Sequence, residues 1–212
     1  MRNIAYVGFG DLGQQVSRFL KQTATGPISE VYFDDQLFSS KTLHSFPFSA
    51  YKNPEFSHHD FFVCLGYKNL ALKSKIIDEL KRANRKLPNF IHPSAIINPS
   101  VQPGAGIIIY PGCNIDQNAA LEDGVLLNNS VTISHNTVIG KSSFMAPGVI
   151  VCGYVRIGME NFAGAGSIFS NNVITGDNVI TGIGTVVTKN IAAGSSVIGN
   201  PMRHLSKKIN LR

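Results

Sequence analysis

A six-residue period that starts at Ile91 constrains this 212-residue chain more than any other feature. The leading column reads Ile91, Ile97, Pro103, Ile109, Ile115, Leu121, Leu127, Ile133, Ile139, Met145, Val151 and Ile157, then Ala163, Phe169, Thr175, Thr181, Val187 and Ala193. Four residues after the leading position a second column is small or β-branched, from Val125, Val131 and Thr137 through Thr185, Ile191 and Val197. The column directly after the leading one supplies Gly140, Gly158, Gly164, Gly176, Gly182 and Gly194, expected as corner residues with positive φ. A period of six is neither the helical 3.6 nor the strand period of two. It is the hexapeptide repeat of a parallel β-helix, in which each hexad makes a short strand and a corner and three hexads close one coil. Eighteen hexads cut without insertion predict about six coils. Phe144, Tyr154 and Phe162 fall on outward positions and are expected at the surface.

The first ninety residues have no such period. Asn3–Val7 is an apolar strand followed by Gly8-Phe9-Gly10-Asp11-Leu12-Gly13 and an amphipathic stretch to about Thr23. A second strand, Glu30–Phe33, ends in Asp34-Asp35; a third, Asp60–Leu65, ends in Gly66-Tyr67 and leads into a helix over about 68–86. This is a βαβαβ pattern with a GxGxxG turn after strand one and an acidic pair some twenty residues on. Together these make a diphosphate cradle at a helix N-terminus and a ribose-diol acceptor. Ninety residues hold one mononucleotide half, so a nucleoside diphosphate is the preferred ligand. An NAD site and a purely structural glycine turn are the competing readings. The expected organisation is an α/β half-Rossmann domain over 1–90, a β-helix over 91–200, and a basic tail over 201–212 carrying Arg203, Lys207, Lys208 and Arg212.

Composition narrows the function. The net charge of +6 divides into +4 over residues 1–90, −2 over 91–199 and +4 over the last thirteen, so the longest segment has no basic stripe for nucleic acid. Lys81, Arg82, Arg85 and Lys86 read as the solvated C-terminal end of a helix. Cys64, Cys113 and Cys152 are widely spaced, which opposes a zinc ribbon or disulfide scaffold and fits a reducing, cytoplasmic compartment. No metal-ligand spacing occurs around His58-His59, and no apolar run is long enough to span a membrane.

A short nucleotide-binding unit joined to a hexapeptide helix resembles the bacterial nucleotide-sugar N-acetyltransferases and the related sialic acid O-acetyltransferases. The telling segments are Phe61-Phe62-Val63-Cys64-Leu65-Gly66, Asn128–Gly140 and Ala163-Gly164-Ala165-Gly166-Ser167. The resemblance implies a left-handed helix and a homotrimer. It also implies acetyl-CoA as acyl donor in a groove between prisms, and a dTDP- or UDP-linked 4-amino-dideoxy sugar as acceptor in lipopolysaccharide or other surface-glycan assembly. It makes His135 the base, with Asn136 standing where relatives carry Asp or Glu. Eighteen residues beyond His135 comes Gly153, which leaves room for a thioester and offers an N–H to the acetyl oxygen. An imidazole, ordinarily titrating near ~6.5, suits proton removal at neutral pH. Phe144 stands where relatives often place a CoA-contacting His; Gly153, Ala165 and Ile183 match cofactor-touching positions. Gly8, Gly10, Asp11, Leu12, Asp34, Asp35, Gly66 and Asn128 are the substrate-side expectations, with Asp11-Leu12 replacing the Gly-His of relatives. O-acetylation, N-formylation and a non-catalytic trimeric sugar-nucleotide binder are the alternatives.

Overall fold

Ile4-Ala5-Tyr6-Val7 is apolar at every position, which suits a strand covered on both faces. It forms the end of β1 (Arg2–Val7), with Ile4, Ala5 and Tyr6 wholly buried. The computed structural model describes residues 1–41, 44–207 and 209–211 and divides into two units, Met1–Phe90 and Ile91–Arg212. In the first, β1 pairs in parallel with β2 (Ile28–Phe33) and β4 (Asp60–Val63), and β2 pairs with β3 (Ser45–Phe46), giving the order β3-β2-β1-β4. Helix α1 (Asp11–Thr23) buries Gly13, Val16, Ser17 and Leu20, the spacing of one helical face.

Three differences from the sequence reading concern this unit. The segment between β2 and β4 contains a short α2 (Asp35–Ser39), strand β3 and two 3-10 turns, too brief to leave a periodic signal. Strand β4 stops at Val63, short of Leu65. Helix α3 covers Leu70–Arg82 only, because Asn84 takes φ 54° and the N–H groups of Asn84 and Arg85 turn back to the carbonyls of Lys81 and Leu80, a Schellman ending. Lys86 therefore leaves the helix and pairs with buried Asp60 at 2.7 Å, opposite Arg2 at 2.6 Å. Burial opposes the Asp60 charge, but the two cations outweigh it and hold the carboxyl below its usual range. Lys73 sits inside the buried stripe of α3 with no hydrogen-bond partner for its amine among the described residues, and burial pulls it down to about 8.

The second unit is a parallel β-solenoid of about six coils. Two-residue strands stack in parallel at 18-residue offsets on three faces, for instance Ala120↔Val138, Leu126↔Phe144 and Thr132↔Ile150. The inward columns fill the axis: Leu121, Leu127, Ile133, Ile139, Met145 and Val151 are all at most 1% exposed, as are Val125, Val131, Thr137 and Val155. The first coil departs, with Ile91 and Pro103 exposed. The last departs further: Thr175 meets Ile191 and Thr181 meets Val197, offsets of 16, so this coil is two residues short. Ile191 and Val197 take the axial positions and Ala193 faces solvent. Beyond it, Arg203–His204 pairs antiparallel with Val197 and Ile198, and Ile209 donates to Ser196. Lys208 and Arg212 lie outside the described residues.

The corners also correct the sequence reading. Positive φ recurs at every sixth residue from Gly106 through Gly184, two positions beyond the glycine column named above. Gly140, Gly158, Gly164, Gly176 and Gly182 serve a different need: a Cβ on any of them would lie 2.5–2.6 Å from an atom of the next coil. They let coils stack, while Asn118, Asn136, Asn172, Asn178, Ser130, Ser142 and a separate set of glycines such as Gly148 and Gly166 make the turn.

Candidate functional site

From Gly124 to Gly184 each left-handed corner residue donates its N–H to a carbonyl nineteen residues earlier, and these bonds trace three edges along the solenoid. On one edge Asn136 donates to Gln117, Tyr154 to His135 and Asn172 to Gly153, which stacks Gln117, His135 and Gly153 on successive coils. His135 is half-buried. Its ring lies over the Gly153 Cα: a Cβ at 153 would sit 2.7 Å from Cε1 and 2.9 Å from Nε2. The missing side chain thus makes room for the imidazole itself, a correction to the expectation that it leaves space for a thioester. Tyr154, itself exposed, meets the same ring edge to face, its centroid 5.1 Å away at 85°. Within the chain, among the described residues, the Gly153 N–H has no hydrogen-bond partner.

The remaining expectations separate. Asn136 is itself a left-handed corner (φ 57°), which accounts for the residue type, and its side chain makes no bond to His135. Ala165 and Ile183 lie on a different edge, stacked above Asn129 and Pro147, with Ile183 82% exposed. Asn128 precedes that edge and spends its Oδ1 on the Asn129 N–H at 2.7 Å. Phe144 is buried, 5.8 Å ring to ring from Phe162, and so is not the surface aromatic expected of an outward position. Among the described residues no cluster of His, Cys, Asp or Glu could hold a metal ion.

In the first unit the glycine turn lies at the carboxyl ends of the strands, where β1 separates β2 from β4. Its three glycines do different things. Gly8 takes φ 83° with Leu65 and Cys64 close by, and Gly13 packs against the Gly8 carbonyl, where a Cβ would come within 2.6 Å. Gly10 precedes α1 with nothing within 4 Å of a Cβ, so it alone leaves open space. Asp11 is exposed on the first turn, Leu12 is half-buried, and Gly66 is open as well. Asp34 is already engaged: Oδ2 accepts from Phe9 N–H at 2.9 Å, tying down the turn, and Oδ1 caps α2 through Gln36 and Leu37. Asp35 accepts from Phe48 N–H but is exposed.

A histidine-bearing parallel β-solenoid that follows a parallel α/β unit with a glycine turn defines the class. Solved structures share it along nearly the whole chain. The acetyltransferase domain of PglB from Neisseria gonorrhoeae, in complex with acetyl coenzyme A, is 27% identical with a TM-score of 0.85, over 96% of this chain and 99% of that one. PerB from Caulobacter crescentus, in complex with CoA and GDP-perosamine, is 23% identical with a TM-score of 0.84 over 97% and 98%. WeeI from Acinetobacter baumannii is 24% identical with a TM-score of 0.84 over 97% and 100%. The resemblance read from the sequence is borne out by these neighbours. No protein-family model matches the chain.

Proposed function

We propose that this protein is an acetyl-CoA-dependent N-acetyltransferase whose acceptor is the amine of a nucleotide-linked sugar. The observation that carries the reading is the edge itself: an imidazole packed against Gly153, whose backbone N–H has no partner among the described residues. His135 takes the proton from the attacking amine, and the Gly153 N–H donates to the oxygen on which negative charge develops. The amine nitrogen bonds the acyl carbon as the thioester C–S bond breaks, CoA leaves as its thiol with the proton that His135 took up, and no enzyme nucleophile intervenes. Similarity to a domain crystallised with acetyl-CoA supports the donor, and a neighbour holding GDP-perosamine supports a nucleotide-sugar acceptor. Asn136, Phe144, Ala165, Ile183 and Asn128 enter as family-matched contacts. Ala165 and Ile183, on their separate edge, would meet the donor from a neighbouring subunit of a homotrimer. The first unit acts as a half-Rossmann cradle through Gly8, Gly10 and Gly66, with Asp35 the freer of the two acids. A left-handed solenoid and a cytoplasmic setting complete the reading. The latter accords with three free cysteines and with no described helix long and apolar enough to cross a membrane. Surface-glycan assembly is the corresponding role.

The test pairs binding with turnover. A nucleoside diphosphate at ~100 times its Kd should stabilise the protein by about 2.7 kcal/mol if it binds only the folded state. Thermal unfolding with dTDP, UDP, GDP, CMP and NAD in parallel reads this, and CoA thiol release against the matching amino sugars reads turnover. Gly10→Val should abolish the shift at only a small cost to the unliganded midpoint, since its Cβ meets nothing and what is lost is the N-cap preference for glycine over valine. Silence from every nucleotide would remove the cradle from the reading.

A second outcome follows from the ring over Gly153. Gly153→Ala puts a methyl 2.7 Å from Cε1, so the imidazole must swing away. Turnover should fall by roughly 10²-fold, the cost of an ångström-scale misplacement, with the thermal midpoint kept because only one side chain yields. Steady-state kinetics of the variant check it; unchanged kcat would mean that the ring position is immaterial.

A further inference from the structure

We infer that Tyr154 is a positioning residue that holds the His135 imidazole against Gly153. The inference rests on His135 being the base. The corner residues from Gly106 through Gly184 are Gly, Asn or Ser at twelve of fourteen places, as left-handed φ demands. Tyr154, at φ 60°, and Glu160, on another edge, are the exceptions. A bulky aromatic in that conformation costs stability, and such costs persist where the residue does something else. What Tyr154 does is visible: its ring meets the imidazole at 5.1 Å and 85°, an edge-to-face contact. Among the described residues no carboxylate bonds to His135 within the chain, and Asn136 does not reach it. Within the chain the ring is therefore held by packing alone, against the Gly153 Cα and the partly exposed Tyr154 ring, with its nitrogens left for proton transfer.

The side chain immediately above Asn136 is thus assigned a task that a charged neighbour would otherwise perform. Packing fixes the orientation of an imidazole without adding charge beside it. The Tyr154 hydroxyl plays no part in this.

The experiment compares wild type, Tyr154→Asn, Tyr154→Phe and His135→Ala. Asn suits the corner, so Tyr154→Asn should raise Tm by roughly 2–4 °C and lower kcat roughly tenfold through loss of the aromatic contact, with both KM values and the oligomeric mass unchanged. Tyr154→Phe should keep wild-type kcat. The Cε1–H proton resonance of His135, assigned by its disappearance in His135→Ala, should move in Tyr154→Asn and stay in Tyr154→Phe. A wild-type kcat with an unmoved resonance in Tyr154→Asn would overturn the inference. So would a Tyr154→Phe as slow as Tyr154→Asn, or a change of oligomeric mass, which would make the ring an assembly contact. If wild type turns over no acceptor, the enzymatic reading fails while the resonance still decides whether Tyr154 orients the ring.

Discussion

His135→Ala should lower kcat by ~10²–10⁴, the usual contribution of a positioned general base, while the solenoid and its assembly stay intact. The fold does not depend on the imidazole: its backbone carbonyl accepts from Tyr154 N–H whatever the side chain, and the axial positions Ile133 and Thr137 lie on either side of it. Truncation leaves a small space above Gly153 at a half-buried edge, open to water. The KM values for donor and acceptor should change far less than kcat, since the group lost acts on a proton in the transition state. Thiol release under saturating substrates, with the mass of the assembly measured alongside, decides the matter. Turnover near that of wild type would remove His135 as base, and a fall confined to KM would recast it as a binding residue.

Why the histidine edge was legible while its details were not is a question of period. Stacking at eighteen residues follows directly from three hexads, so the pairing of His135 with Gly153 needs no coordinates beyond the repeat. The same arithmetic placed Ala165 and Ile183 on coils beyond His135 but passed over the edge: twelve residues from Gly153 is two corners away, and only the hydrogen-bond ladder separates the edges. The use of the Gly153 void could not be read either, because a missing side chain does not say what fills it. Phe144 misled for a related reason: outward on a strand means exposed only where nothing covers that face. The two-residue deficit falls between Val187, still paired at eighteen residues with Phe169, and Ile191, and it was masked because Ala193 continues a plausible column past it. In the first unit the strands β1 and β4 were legible from continuous apolar runs, and β2 from the short run Val31-Tyr32-Phe33. Segment 35–59, built from elements of two to five residues, carries too few turns of any period to register. Asp34 read as a ligand acceptor from its spacing alone, yet three backbone N–H groups already claim it.

The two glycine classes in the solenoid should respond oppositely to substitution. At Gly158 the backbone is ordinary, but a Cβ would lie 2.5 Å from both the carbonyl carbon and the oxygen of Gly176, and 2.6 Å from Asp177 Oδ1. Backbone cannot swing aside as a side chain does, so Gly158→Ala forces two coils apart and breaks the close stack that Gly158 and Gly176 form. Overpacking of this kind should cost about 2–3 kcal/mol. At Gly148 the situation is reversed: φ is +68° and nothing lies within 4 Å of a Cβ. Asn occupies that corner position at Asn118, Asn136, Asn172 and Asn178, so Gly148→Asn should change stability by no more than about 1 kcal/mol, and the narrower unfolded ensemble offsets part of that. Thermal unfolding of both variants at one protein concentration separates the classes. If Gly148→Asn proved the more damaging, close approach between coils would not be what the Gly158 column is for, and the repeat would owe its glycines to φ after all.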